Sequence, residues 1–219
     1  MKKLFIAFVA GALAMFPGKM NAQGLSLGTS TDVVSAFMWH GFKLGDAAIQ
    51  PSVTLDFEPG NGDVCLEAGL WANAGLGNFS QELDAFVSAE FAGFTLGVTD
   101  YMSPVQDLAD EMDNHCLDMT LGYTFDAVPV SLLWSSVVQS GDWGHYFEAS
   151  YTYSVGDFLD LTATVGVIPF ESDYYVNSGF ELPRVSLDAT LTSLPLPVSL
   201  GVSYNNMEKE TYFTAGFSF

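Results

Sequence analysis

Asp56, Glu67, Asp84, Glu90, Asp118, Glu148, Asp160 and Asp188 share the polar parity of segments in which apolar and polar residues alternate, and Arg184 is the strong base among them. Successive side chains of a β-strand point to opposite faces, so residues of one parity on neighbouring strands line one wall. Carboxylates lining a narrow aqueous passage attract cations and repel anions. Glu67, Asp84, Glu90, Asp118, Glu148, Asp160, Arg184 and Asp188 are therefore the expected pore-lining set. The competing reading makes them hydrated lumen wall, or has them bond to Ser and Thr neighbours and plug the interior.

Other chemistries find less support. His40, His115 and His145 fall at expected strand ends near Asp107, Asp110, Glu111 and Asp113, but without metal-ligand spacing, and the acidic stretch lacks the Asp-x-Asp-x-Asp-Gly pattern of a calcium loop. No Gly-x-Ser-x-Gly occurs, and a hydrolase needs a nucleophile, a base and an orienting group within reach of one another. The sequence assigns no catalytic residue, metal or cofactor, and the expectation is a protein that is not an enzyme. An outer-membrane hydrolase is the weakest alternative.

The first residues, MKKLFIAFVAGALAMFPGKMNAQ, place Lys2 and Lys3 ahead of an apolar run from Leu4 to Phe16 and small or polar residues up to Ala22. This reads as a secretory signal peptide, residues 1–22, whose apolar run is too short to span a bilayer. Removing it leaves Lys43, Arg184 and Lys209 against 26 acidic residues, three minus 26, a formal charge of −23. Nucleic acid needs a basic footprint and is excluded as a partner.

Positioning the acids falls to twelve alternating segments at about 25–39, 48–58, 63–74, 82–91, 93–101, 115–126, 128–139, 144–155, 157–168, 182–193, 196–205 and 210–219. The parity slips once near Pro183. Tight Gly, Pro and Asp turns such as PGNG, AG, DAVP and LPLP alternate with mostly longer loops such as HGFKLGDAA and FESDYYVNSGFE. An even number of ten-residue strands with connections short at one end and long at the other predicts one all-β domain over 23–219. Its architecture is a single antiparallel up-and-down transmembrane β-barrel of 12 strands. Ten strands is the alternative count, because the first segment alternates poorly around Asp32, Val33 and Val34.

A secreted β-sandwich also alternates, and three features favour the barrel. Gly69, Gly97, Gly122, Gly166, Gly201 and Gly216 sit on the polar parity, as suits the crowded inside of a curved sheet. Phe57, Phe91, Phe94, Tyr123, Phe125, Tyr151, Tyr153, Phe217 and Phe219 fall near the short-turn end, as an aromatic girdle would. The polar parity also lacks the lysines of a soluble surface. Cys65 and Cys116 are expected at opposite ends of the wall, which is about 25 Å tall in such barrels, so both thiols stay unpaired. On the last segment Phe213, Phe217 and Phe219 alternate towards lipid, and they look like the signal read by the barrel-assembly machinery.

Between residues 29 and 101 the order of motifs TSTDVVSAFMWHGFKLGDAAIQPSVTLDF, LEAGLWANAG, QELDAFVSAEF and GVTDYMSP is similar to that of the TorF-like putative porins of Gram-negative bacteria. The positions that carry the resemblance are Trp39, Gly41, Gln50, Pro51, Gly69, Trp71, Glu82, Asp84, Asp100 and Tyr101, and His40 stands where that pattern has arginine. The resemblance implies an outer-membrane porin-like barrel. Independently of it, Trp39, Gln50, Trp71, Glu82 and Tyr101 set hydrogen-bonding groups beside aromatic platforms near the external strand ends. They form either a solute-contact region or a brace for the loops over the mouth.

The expectation is a cell outer-membrane channel for small polar solutes, cation-preferring or neutral, surrounded by outer-membrane lipid and lipopolysaccharide. The alternative class is a non-conducting structural or partner-binding barrel.

Overall fold

The computed structural model describes residues 20–22, 24–59, 64–77, 81–102, 115–139 and 142–219. The strands are β1 (Met20–Ala22), β2 (Leu25–Val34), β3 (Phe37–Trp39), β4 (Phe42–Gly45), β5 (Ala48–Phe57), β6 (Val64–Gly75), β7 (Gln81–Phe91) and β8 (Phe94–Met102). They continue with β9 (His115–Thr124), β10 (Val130–Gln139), β11 (Asp142–Val155), β12 (Leu159–Ile168), β13 (Glu181–Leu191), β14 (Val198–Asn205) and β15 (Glu210–Ser218). From β5 to β15 each strand pairs antiparallel with the next, and β2 pairs with both β5 and β15. The result is a closed, up-and-down, antiparallel barrel of twelve strands, with β1 hydrogen-bonded beside the lower part of β2.

The alternation explains the closure. Leu27, Leu55, Leu70, Val87, Leu96, Leu121, Leu132, Val165, Leu187 and Leu200 point outwards and are exposed, while their sequence neighbours Ser, Thr, Asp, Glu and Gly point inwards. An open sheet with such a face would leave unpaired backbone at two edges, and the pairing of β2 with β15 closes them over residues 31–35. Phe57, Phe91, Phe94, Phe125, Tyr151, Tyr153, Phe217 and Phe219 are exposed towards the short-turn end, where Phe91 faces Phe94 across one ladder and Phe94 faces Tyr123 across the next.

The inward glycines make room for what faces them. A β-carbon on Gly69 would strike the Phe86 ring, and one on Gly166 would strike the Tyr146 ring. The parity slip near Pro183 is a register shift between Gly166 and Ile168 on β12, opposite β13. An irregularity there suits a proline, which has no N–H to give to a ladder.

The first strand differs from expectation. The segment expected to run over 25–39 leaves the wall after Val34, and Ser35 makes the last wall bond, its N–H donating to Ala215 O at 2.8 Å. Residues 37–45 then form a separate hairpin, β3–β4. Its two-residue turn, His40–Gly41, has φ of 48° and 87°, the pair of positive values that a tight type I′ hairpin turn requires. Glycine takes such a value without strain and histidine with little. Phe37 is buried and Asn205 Nδ2 of β14 donates to Gly41 O at 3.1 Å, so the hairpin lies inside the barrel. Alternate apolar residues read the same way in an inward hairpin and in a wall strand, which is why periodicity merged the two.

Candidate functional site

The largest buried side chains gather inside the long-loop half of the lumen. Tyr146 of β11, Ile168 of β12 and Tyr175 of the β12–β13 loop form a core against which Trp39, Phe42, Tyr174 and Met207 pack. The hairpin turn supplies the centre. The His40 ring stacks on Trp39, with centroids 3.8 Å apart, and on Tyr146 at 4.0 Å, and His40 Nδ1 lies 2.8 Å from the Tyr175 hydroxyl. Burial, and then the charge of Arg184, pushes the His40 pKa down from 6.5 to about 3, so the ring is neutral at physiological pH. Burial likewise holds the Tyr174 and Tyr175 hydroxyls protonated.

Two hydrogen-bond chains tie this core to the wall. Trp39 Nε1 donates to Tyr101 Oη at 3.2 Å, Tyr101 Oη donates to Asp118 Oδ2 at 2.9 Å, and Ser135 Oγ donates to Asp118 Oδ1 at 2.6 Å. On the other side Tyr146 Oη donates to Glu148 Oε2 at 2.7 Å and Arg184 Nη1 donates to the same oxygen at 2.9 Å. Arg184 Nη2 stands 3.9 Å from Asp188 Oδ2. Charge-assisted bonds of this kind hold side chains in one geometry.

The expected pore-lining residues therefore divide. All eight have inward parity, but Asp118, Glu148, Arg184 and Asp188 are drawn into these networks, and Asp84 is buried beside the hairpin end of the lumen. Those in the networks form a belt of bonded side chains there. Glu67, Glu90 and Asp160 stay towards the short-turn end, where the wall is small and hydroxylated: Ser30 Oγ lies 2.7 Å from Ser52 Oγ, and Thr152 Oγ1 lies 3.0 Å from Thr162 Oγ1.

The five expected solute-contact residues come together around the hairpin. Trp39 does not end the first wall strand, as expected, but ends β3 of the hairpin inside the lumen. A cavity of about 310 Å³ on one side of it includes Gln50 and Trp71 in its lining, and a second of about 210 Å³ on the other includes Glu82, Tyr101, Cys116 and Tyr174. Gln50 Nε2 donates to Asn73 Oδ1 at 2.9 Å, and Trp71 lies 5.6 Å from Phe37. No family model and no curated protein matches this chain. The site is accordingly read from its own geometry: an aromatic plug, clamped by ion pairs, between two small cavities in a polar lumen.

The histidines are held apart. His115 Nδ1 lies 2.8 Å from Asp100 Oδ2, His145 stacks on Trp134, and His40 is half-buried in the plug, in the turn of the lumenal hairpin and not at the end of a wall strand, where it was expected. The acids Asp107, Asp110, Glu111 and Asp113 lie outside the described residues. Cys65 and Cys116 are both free thiols, Cys65 opposite Glu90 and Cys116 opposite Tyr101. Sequence reasoning missed Tyr146, Tyr174, Tyr175, Phe42 and Met207 as plug residues. The one signal for them was an aromatic excess in FMWHGF and DYYV, too large for a solvated loop.

Proposed function

We propose that the protein is an outer-membrane barrel that passes small polar solutes, cations or neutral molecules in preference to anions, through a lumen narrowed by the β3–β4 hairpin and Tyr174–Tyr175. The observation that carries this reading is the opposition of the two faces of a closed sheet. Exposed leucines, valines and aromatics surround the outside, and hydroxyls and carboxylates line the inside. In hydrocarbon every backbone group must be satisfied internally, which a closed barrel achieves, and an apolar band with a polar interior is the pattern of such barrels.

The signal-like first 22 residues and the order of motifs shared with TorF-like porins support the same placement, with the long loops outside and lipid and lipopolysaccharide as neighbours. Glu67, Glu90 and Asp160 supply the cation bias, while the hairpin sets the width. A second reading, a non-conducting barrel, is favoured by the filling of the upper lumen. Planar-bilayer recording separates the two. The expected result is a small conductance whose reversal potential in a salt gradient has the cation sign. A sealed bilayer at high protein load selects the second reading, and an anion sign removes the role given to the acids.

A further inference from the structure

The departure of the chain from the wall after Ser35 leaves a place in the barrel unfilled. β2 pairs with β15 through Asp32, Val33 and Val34, with Thr31 and Phe219 exchanging backbone bonds below them. Continued upwards, the same register would set residues 36–40 against β15 from Thr214 to Glu210. Those residues have instead turned inwards, so among the described residues that stretch of β15 pairs with β14 alone. Phe213, on its outer face, is 78% exposed, against 58% for Leu96 and Tyr153 on fully flanked strands.

The cavity of about 310 Å³ beneath the hairpin reaches this gap. Ala215 lies on the outward parity of β15, between Phe213 and Phe217, and is exposed. It shares the lining with Arg184, Asp188 and Ser203 of the lumen and with Trp39 and Trp71. The cavity therefore runs from the lumen charges to the β15 edge that the departing chain leaves unpaired. Its chemistry is graded along the way. Val34, Ala36, Met38 and Ala215 are apolar near the seam, Phe37 and Trp71 are apolar further in, and Gln50, Arg184 and Asp188 are polar within. Its volume falls at the lower end of the range of small-ligand sites, about 300 Å³ upwards.

We propose that this gap is a lateral portal, through which a single-chain amphiphile seats its acyl chain at the seam and its head group beside Arg184 and Asp188. The head is zwitterionic or uncharged, because Arg184 is already paired with Glu148 and Asp188, and an unaccompanied anion would meet the remaining acids. This inference rests on the membrane placement argued above.

The native tryptophans supply the test. Trp39 and Trp71 line the cavity, whereas Trp143 is exposed on the outer face. The full chain carrying Trp134→Phe and Trp143→Phe is reconstituted in phosphatidylcholine vesicles and titrated with lysophosphatidylcholine brominated on its acyl chain. The portal requires quenching of the remaining emission. It also requires that quenching to fall several-fold in the added variant Ala215→Phe, whose ring stands on the outer lip at a position too exposed to disturb folding, and in Ala36→Leu, which fills the seam. Unquenched emission, or quenching indifferent to both variants, overturns it. Doubled mass in detergent with unquenched emission assigns the β15 edge to a second copy of the chain and also overturns it. In a parallel arm the wild-type chain is placed in vesicles of brominated phosphatidylcholine. Quenching of Trp143 there, with none in the lysolipid arm, sinks the portal but not the membrane reading, and no quenching in either arm sinks both.

Discussion

The two halves of the lumen are built by the same strands with the same parity, yet they are occupied by different means. Towards the long loops, a hairpin and a loop enter from outside the wall. The wall answers with large side chains, Tyr101, Tyr146 and Arg184, whose polar ends are all bonded. Towards the short turns, wall residues meet mainly one another, through Ser and Thr hydroxyls, with Glu67, Glu90 and Asp160 between them. A twelve-stranded barrel is wide enough that wall side chains alone do not settle whether it is filled. Here inserted segments fill one end, and under the proposed function width falls to the loops and charge to the turn end.

Removing the inserted segment tests that contrast most severely. Replacing residues 37–45 by a short Gly-Ser link is expected to raise single-channel conductance several-fold while the barrel still forms, since the twelve wall strands are untouched. Unchanged conductance would show that the constriction lies elsewhere. Arg184→Met comes next. It leaves Glu148 and Asp188 without their cation, and removing one partner of a part-buried ion pair is expected to cost about 2 kcal/mol in thermal unfolding in detergent. Cation preference should rise at the same time, because two carboxylates are released into the lumen.

Acid is a milder probe of the same half. His40 faces Tyr146 of β11, Tyr175 of the β12–β13 loop and Arg184 of β13, which itself carries Glu148. The docked pKa of about 3 lies below the free value of 6.5, so docking keeps its full strength above pH 6.5 and weakens as pH falls towards 3. Between pH 6.5 and 4.5 the docked-to-undocked ratio should drop about 50-fold, read as protease access to the hairpin. His40→Gln should flatten that dependence, and a wild-type profile that stays flat would show that the ring never leaves its pocket. The smallest effect belongs to the other half. Glu90→Gln, at an exposed rim position, should lower cation preference slightly and shift stability by less than about 0.5 kcal/mol.

The wall was legible because a strand in a two-faced sheet imposes a period of two, and that period survives in the sequence from Leu25 to Phe219. The segments expected at 48–58 and 210–219 agree with β5 and β15 to within a residue at their ends. The plug was not legible, since nothing local marks whether a loop residue points into solvent or into a lumen. Trp39 and Tyr101 were singled out for their chemistry and do touch, but their partners Tyr174 and Tyr175 come from a loop whose path is set by tertiary packing alone. His40 shows the limit most clearly. A histidine before a glycine between apolar residues reads as an exposed loop tip, and it becomes the half-buried, ring-stacked centre because the chain turned inwards at Ala36.

The seam between β2 and β15 also governs how the molecule must be made. Its residues are far apart in sequence, 186 positions for Ser218 and Asp32, whereas the other ladders of the wall join strands that follow one another along the chain. Local hairpins form fast and distant pairings slowly, so closure is the late event of folding. Until it occurs, β2 and β15 each present an open edge that any other strand can occupy. Substitutions at Asp32, Val33 and Val34 should therefore be felt as a lower yield of closed barrels more than as a lower melting temperature of those that close.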